Sequence, residues 1–373
     1  MGGHTSVLSS ALARTTASMA SFVAHFSHDL RCKRGACKQD VPSLFYCYDP
    51  PLNLGETMTV SSVPHPYFDR LIDLARAAGP VTVALAHPCD RHALEAALHA
   101  ARLGLITPIL VGPRARIERA AAEADLDISA LPLHDTEHSH ASARRAVELV
   151  RDGSAAILMK GSLHTDELMG AVVAADTGLR TARRLSHCFV MDVPGRDEPL
   201  IITDAAVNII PTLSDKVDIV QNAIDLAHIL QFPEVRVAIL AAVETVNAKM
   251  PSTIDAAALC KMADRGQITG ALVDGPLAMD NAIDPEAAAI KDLVSPVAGR
   301  ANILVAPDLE AGNMLAKSLS FMANAAAAGI VLGARVPLVL TSRADSLAAR
   351  LASCAVAVLV AQSRLTGVKT LGL

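Results

Sequence analysis

VTVALAHPCDRHALEAALHAARLGLITPILVG, residues 81–112, carries the reading of the fold. An apolar β-compatible run, VTVALAH, is followed by a segment with Leu94, Ala97, Leu98 and Ala101 at helical spacing, then by a second apolar run, TPILVG. Strand, amphipathic helix and strand in that order describe a βαβ crossover. The runs are apolar almost throughout rather than alternating, which suits parallel strands covered on both faces.

Working outward, the same alternation continues. ISALPL (128–133) and AAILMKG (155–161) extend the first series, and SHCFVMDV (186–193) and PLIITDAA (199–206) begin a second. VRVAILAA (235–242), ITGALVDGPL (268–277) and ANILVAPD (301–308) follow as strands, with helices expected near 214–230, 253–266 and 312–325. GIVLGARVPLVLT (329–341) returns to strand material before a final helix. Two blocks meeting near residue 184 favour a pair of α/β domains over one closed barrel, because 186–193 and 199–206 adjoin with no helix between them. The expected domains are 60–183 with 325–373, and 184–324; residues 1–59 form a poorly specified N-terminal extension, read as a loose or misassigned upstream segment, a targeting segment or a peripheral folded element.

Composition narrows the function classes. Apolar residues are 51% of the 373 and charged residues 19%, enough for a packed core. Aromatics are 3% with no Trp and the net charge is −5, which argues against nucleic acid or an anionic membrane surface as partner. Seven Cys residues without a paired framework fit a reducing, cytoplasmic setting.

The chemistry is expected at polar strand ends. In LMKGSLHT, Lys160 can neutralise a phosphate, Gly161 admits a close backbone approach, and Thr165 is placed to cap a helix; the competing reading is a strand-end lysine and an ordinary cap. His164 and His187 are candidates for acid–base or substrate contact, with packing as the alternative, and neither has the companions of a metal site. Asp204 and Asn208 stand four residues apart, suited to capping or to shaping a pocket. Asp274 and Asp280 flank a Gly-Pro turn without defining a magnesium site. Asp308, Gly312 and Asn313 can let a helix N-terminus approach phosphate or simply shape the strand-to-helix transition. In LTSRADS, Ser342 and Arg343 pair a hydroxyl with a permanent cation, suited to an oxyanion and a phosphate; Ser342 with Asp345 equally fits a capping box.

Taken together, KGSLHTDELM, SHCFVMDV, ITDAAVNIIP, VDGPLAMDNAI, PDLEAGNMLAK and LTSRADS resemble the phosphate acetyltransferase and phosphate butyryltransferase family over about residues 75–362. The likeness is greatest to the phosphate-acyltransferase half of bifunctional enoyl-CoA hydratase/phosphate acetyltransferase proteins. This resemblance implies a two-domain, isocitrate/isopropylmalate dehydrogenase-like α/β architecture with an interdomain cleft. It implies CoA, acyl-CoA, inorganic phosphate and acyl phosphate as ligands, no tightly bound cofactor, no metal, and a homo-oligomer. Ser342 takes the role of transition-state hydrogen-bond donor and Arg343 that of acyl-phosphate clamp. Where acetyltransferases of the family carry an Asp that helps deprotonate CoA, this chain has Ala348 and Ala349. That departure leaves open a butyryltransferase-like site, a thiolate supplied from solution or another carboxylate. The remaining alternatives are a CoA-binding module without turnover and a dehydrogenase, although no complete G-x-G-x-x-G signature stands early in the chain.

Overall fold

The structure, a computed structural model, describes residues 64–342 and 345–366. The N-terminal extension read from the sequence lies outside them, as does Arg343. In chain order, α1 (Pro66–Ala78) leads into β1 (Val81–Ala86), α2 (Arg91–Arg102), β2 (Ile106–Gly112), α3 (Arg114–Glu123), β3 (Leu133–Asp135), α4 (Ser139–Arg151), β4 (Ile157–Lys160) and α5 (Thr165–Val172). Next come β5 (Ser186–Asp192), β6 (Leu200–Thr203), α6 (Leu213–Ile229), β7 (Arg236–Leu240), α7 (Pro251–Asp264), β8 (Leu272–Leu277), α8 (Met279–Ile283), α9 (Pro285–Ile290) and β9 (Ile303–Val305). The chain ends with α10 (Leu309–Met322), β10 (Ala326–Leu332), β11 (Leu338–Val339) and α11 (Leu347–Leu365).

Among the described residues, eleven strands join one open sheet in the order β3-β2-β1-β4-β11-β10-β5-β6-β9-β7-β8, so the barrel is excluded. Two parallel blocks, β3-β2-β1-β4 and β6-β9-β7-β8, flank a centre in which β10 runs antiparallel to both β11 and β5. The late strands therefore stitch the early block to the later one. β4, β7 and β9 are buried at every position, which is why their sequences show no alternation.

Two strand readings need correction. ISALPL contributes only Leu133 to a strand: the amide of Ser129 turns onto Asp127 Oδ1 (2.9 Å) and the amide of Leu131 onto the Ile128 carbonyl (3.0 Å). Ile128 and Leu131 still pack against the core, so their apolarity came from a buried turn. The run 329–341 is two antiparallel strands, with Val331 opposite Leu338. Gly333, at φ +86°, makes the break; a Cβ there would stand 2.2 Å from the Arg184 carbonyl.

α11 is apolar and long enough to cross a membrane, with 61% of its most apolar window buried inside the protein. It packs against α1, α2 and β10, and Ala352, Ala355 and Val358 are fully enclosed, which accounts for its composition without a bilayer.

Candidate active site

The C-terminal end of β4, the loop between β11 and α11, and the exposed flank of α10 surround a cleft of about 680 Å³. Lys160 closes β4 at its floor and is only 7% exposed; its Nζ donates to the carbonyls of Gly161 and Leu163, both at 3.2 Å. The charge is thus held at a fixed place with carbonyl oxygens against it. Gly161 meets the protein's own backbone. Its N–H donates to Ala86 O (2.8 Å), and a Cβ would lie 2.5 Å from that oxygen, so glycine is required where the ends of β1 and β4 cross.

Thr165 is not the cap of α5. The cap is His164, whose N–H donates to Glu167 Oε2 (2.9 Å), and Thr165 opens the helix on the cleft's rim. Ser139 Oγ donates to Glu167 Oε1 (2.6 Å) and holds that carboxyl below the usual glutamate range. His164 is exposed and stands between the cleft and a second recess of about 510 Å³. This recess lies beyond the ends of β1 and β4, where the strand order reverses, and Arg116, His92 and Arg350 contribute positive or titratable groups to it.

On the opposite wall, Asp204 is buried and its carboxylate accepts the N–H groups of Ala206 (3.0 Å), Val207 (3.1 Å) and Asn208 (3.1 Å) and the Asn208 amide (2.5 Å). Asn208 also donates to Leu185 O (2.8 Å) and accepts from Arg184 Nε (2.8 Å). Asp204 and Asn208 therefore shape the loop after β6 from behind, and Ala206 of that loop faces the cleft. Asp308 caps α10 by accepting the Ala311 amide (2.9 Å) and stands apart from the cleft lining. One turn later Gly312 lets α10 touch the β6 loop, Asn313 Nδ2 donates to Ala205 O (3.0 Å), and Lys317 reaches the cleft.

A Cβ at Gly312 would sit 2.5 Å from Asp204 O. Gly312→Ala is expected to lower unfolding stability by about 1–3 kcal/mol, since backbone rather than a flexible side chain has to give way. Urea denaturation checks this, and an unchanged midpoint would show that α10 is free to shift.

Asp274 and Asp280 stand apart from the cleft lining. Asp274 Oδ1 accepts the Gly275 amide (2.8 Å) on edge strand β8, while Asp280 pairs with Lys291 (3.5 Å). Among the described residues no group of three His, Cys, Asp or Glu side chains is arranged to hold a metal.

The loop between β11 and α11 brings Ser342 and Asp345 to the cleft. Asp345 Oδ2 accepts the Ser342 N–H (2.6 Å), as in a capping box, but the helix begins only at Leu347 and its cap is Ser346, which accepts the Ala349 amide (3.2 Å). Asp345 therefore holds Ser342 ahead of the helix rather than capping it. Arg350, 5% exposed, fixes the loop from below: Nη2 donates to Ser342 O (2.8 Å), Nη1 to Thr341 Oγ1 (3.3 Å) and Nε to Asp345 O (3.3 Å). Sequence reasoning missed Arg350 and Lys317. Lys317 had a signal, its place four residues after Asn313 on one helix face; Arg350 had only the oddity of a cation on the apolar face of LAARLASCA.

Residues 139–358 match the family described as phosphate acetyl/butaryl transferase. The chain is similar to the phosphate acetyltransferase of Rhizobium meliloti, 64% identical over 297 residues, 80% of this chain and 94% of that protein. It is 41% identical over 294 residues to the phosphate butyryltransferase of Clostridium beijerinckii, covering 79% and 97%. Among solved structures it resembles a branched-chain phosphotransacylase from Enterococcus faecalis V583, with a TM-score of 0.67 and 31% identity over 75% of this chain and 99% of that one.

Proposed function

Since the chain belongs to the phosphate acetyl/butyryl transferase family, we propose that it is a phosphate acetyltransferase, converting acetyl-CoA and phosphate reversibly to acetyl phosphate and CoA. The observation that carries this reading is the single cleft in which Lys160, Lys317 and Ser342 meet a wall of small apolar residues, Ala325–Ala327 and Ala349. The two lysines supply cationic donors for a phosphoryl group, and the alanines leave room for an acyl chain. In the synthetic direction a phosphate oxygen attacks the thioester carbonyl carbon, negative charge gathers on the carbonyl oxygen, and the Ser342 hydroxyl donates to it. Collapse breaks the C–S bond and releases CoA as thiolate. In reverse the sulfur attacks acetyl phosphate and phosphate leaves. The direct transfer calls for no acyl-enzyme, and among the described cysteines burial pushes the Cys188, Cys260 and Cys354 thiols up to about 12 and Cys89 to about 11, away from an activated nucleophile. The recess beside Arg116 and His92 suits the charged end of CoA, held while its thioester enters the cleft.

The reading includes two lobes, 60–183 with 325–373 and 184–324, in the isocitrate/isopropylmalate dehydrogenase-like manner; the two parallel blocks of the sheet support it. It also includes a soluble cytoplasmic homo-oligomer with CoA as substrate rather than resident cofactor. The alanine wall favours a second reading, butyryl transfer, because each buried CH₂ contributes about 0.8 kcal/mol. Acyl phosphate formation from acetyl-CoA, propionyl-CoA and butyryl-CoA separates the two. Acetyl-CoA is expected to give the highest kcat/KM, and a clear maximum at butyryl-CoA would replace this assignment. Nicotinamide reduction without acyl phosphate formation would sink both.

A further inference from the structure

His187, on β5, forms part of the cleft wall yet is 1% exposed. Its Nδ1 is buried with no hydrogen-bond partner. Buried imidazole nitrogens are ordinarily paired, because leaving one unpaired costs stability. The surroundings fix the ring without satisfying it. Phe189 packs edge-on with ring centroids 4.4 Å apart, and opposite it Gly329 leaves an opening that a Cβ would fill, 3.1 Å from Nε2 and 2.8 Å from Leu340 O. Leu340 stands two residues before Ser342, so the ring edge adjoins the base of the loop that carries the serine. Burial lowers the imidazole's pKa well below its ordinary value, against the pull of nearby Asp204, so the ring is neutral at physiological pH.

We propose that His187 is a catalytic residue of the acyl transfer, donating an imidazole N–H to the reacting carbonyl oxygen alongside Ser342; the inference rests on the acyl-transfer reading above. A neutral ring keeps its proton throughout. Phosphate oxygen forms the new bond to carbon, the carbonyl electron pair moves to oxygen and returns, and the C–S pair leaves with sulfur, while the N–H bond is never broken. A fixed neutral donor suits this work, since it stabilises charge that exists only in the transition state and needs no solvent reorganisation.

The test uses the full chain with acetyl-CoA and inorganic phosphate. His187→Phe preserves the ring's shape and removes both nitrogens. It is expected to lower kcat on the order of 10²–10³-fold, to leave the KM for phosphate within about threefold, and to unfold no earlier than wild type because an unpaired buried group is gone. His187→Gln, which returns an N–H near the position of Nε2, is expected to recover about tenfold of the lost kcat. A folded H187F enzyme with kcat within about threefold of wild type, or an activity loss that merely tracks the unfolded fraction, would overturn the proposal. If H187F does not fold, ring ¹⁵N NMR of the wild-type chain decides. Acetonyl-CoA, a ketone analogue of acetyl-CoA, is expected to shift one imidazole resonance that is missing from H187Q, and no shift on saturation would overturn the assignment. A wild-type chain that forms no acetyl phosphate would remove the acyl-transfer reading and this inference with it, whereas an active wild type with an active H187F removes the inference alone.

Discussion

Arg350→Leu is expected to lower kcat/KM for acetyl phosphate formation about 100-fold and to cost about 2–4 kcal/mol of stability. The buried guanidinium donates to Ser342 O, Thr341 Oγ1 and Asp345 O, so one side chain sets the path of the loop on both sides of residues 343–344. Leucine fills part of the space and leaves those acceptors without their donor. Charge-assisted hydrogen bonds of this kind contribute about 1.5–3 kcal/mol each, but leucine also removes a desolvated cation, and that relief offsets part of the loss. The effect on catalysis is larger than the stability term alone suggests, because displacement of a reacting group by about 1 Å costs about 100-fold. Arg350 acts through Ser342 and is a positioning residue. Its loss should therefore appear mainly in kcat, and Arg350→Lys, which keeps the charge but not the fork, should recover only part. Denaturant unfolding run beside steady-state kinetics separates the two effects, and a folded R350L enzyme with normal kcat/KM would show that the loop holds itself.

Arg343→Ala is expected to remove about 2–4 kcal/mol of transition-state stabilisation, roughly 30- to 1000-fold in kcat/KM, without loss of folding. The argument rests on the chemistry of the side chain and on the resemblance of LTSRADS to the family's loop, since the residue lies outside those the structure describes. A guanidinium presents planar paired donors that match two oxygens of one phosphoryl group, which an ammonium cannot reproduce. Arg343→Lys should accordingly stay folded and lose much of the activity, with alanine worse. Kinetics in both directions, at saturating and subsaturating phosphate and acetyl phosphate, divide the loss between binding and turnover. Near-normal efficiency in folded R343A would leave the arginine as a surface charge.

Ser342 and Lys160 were legible as site candidates because each sits where an apolar run gives way to a polar loop, and Asn313 because it opens the helix expected after such a run; the structure brings all three to one cleft. Asp274 shared that signature and lies elsewhere, since strand-end polarity marks an end of the sheet without saying which side of the cleft, or how far from it, that end falls. Gly161 and Gly312 were read as openings for phosphate; both are openings for the protein's own backbone, Ala86 O in one case and Asp204 O in the other. The local requirement, no Cβ, is the same in each reading, and only a neighbour far along the chain decides between them.

The sequence by itself determined what depends on residues within a few positions of one another: the βαβ alternation, the strand-to-helix transition at Asp308, and the polar strand ends that gather chemistry. These follow from side-chain periodicity and short-range backbone hydrogen bonds, which the order of residues fixes directly. Tertiary structure alone decided that β10 and β11 enter between β4 and β5 and so bring Ser342 and Asp345 to the same cleft as Lys160. It also decided that Arg350 and His187 are buried, one engaged in holding a loop and the other with its imidazole Nδ1 unpaired beside the cleft. The cost of burying a polar group, and whether a partner offsets it, is set by atoms from distant parts of the chain, and no local pattern records which of them arrive.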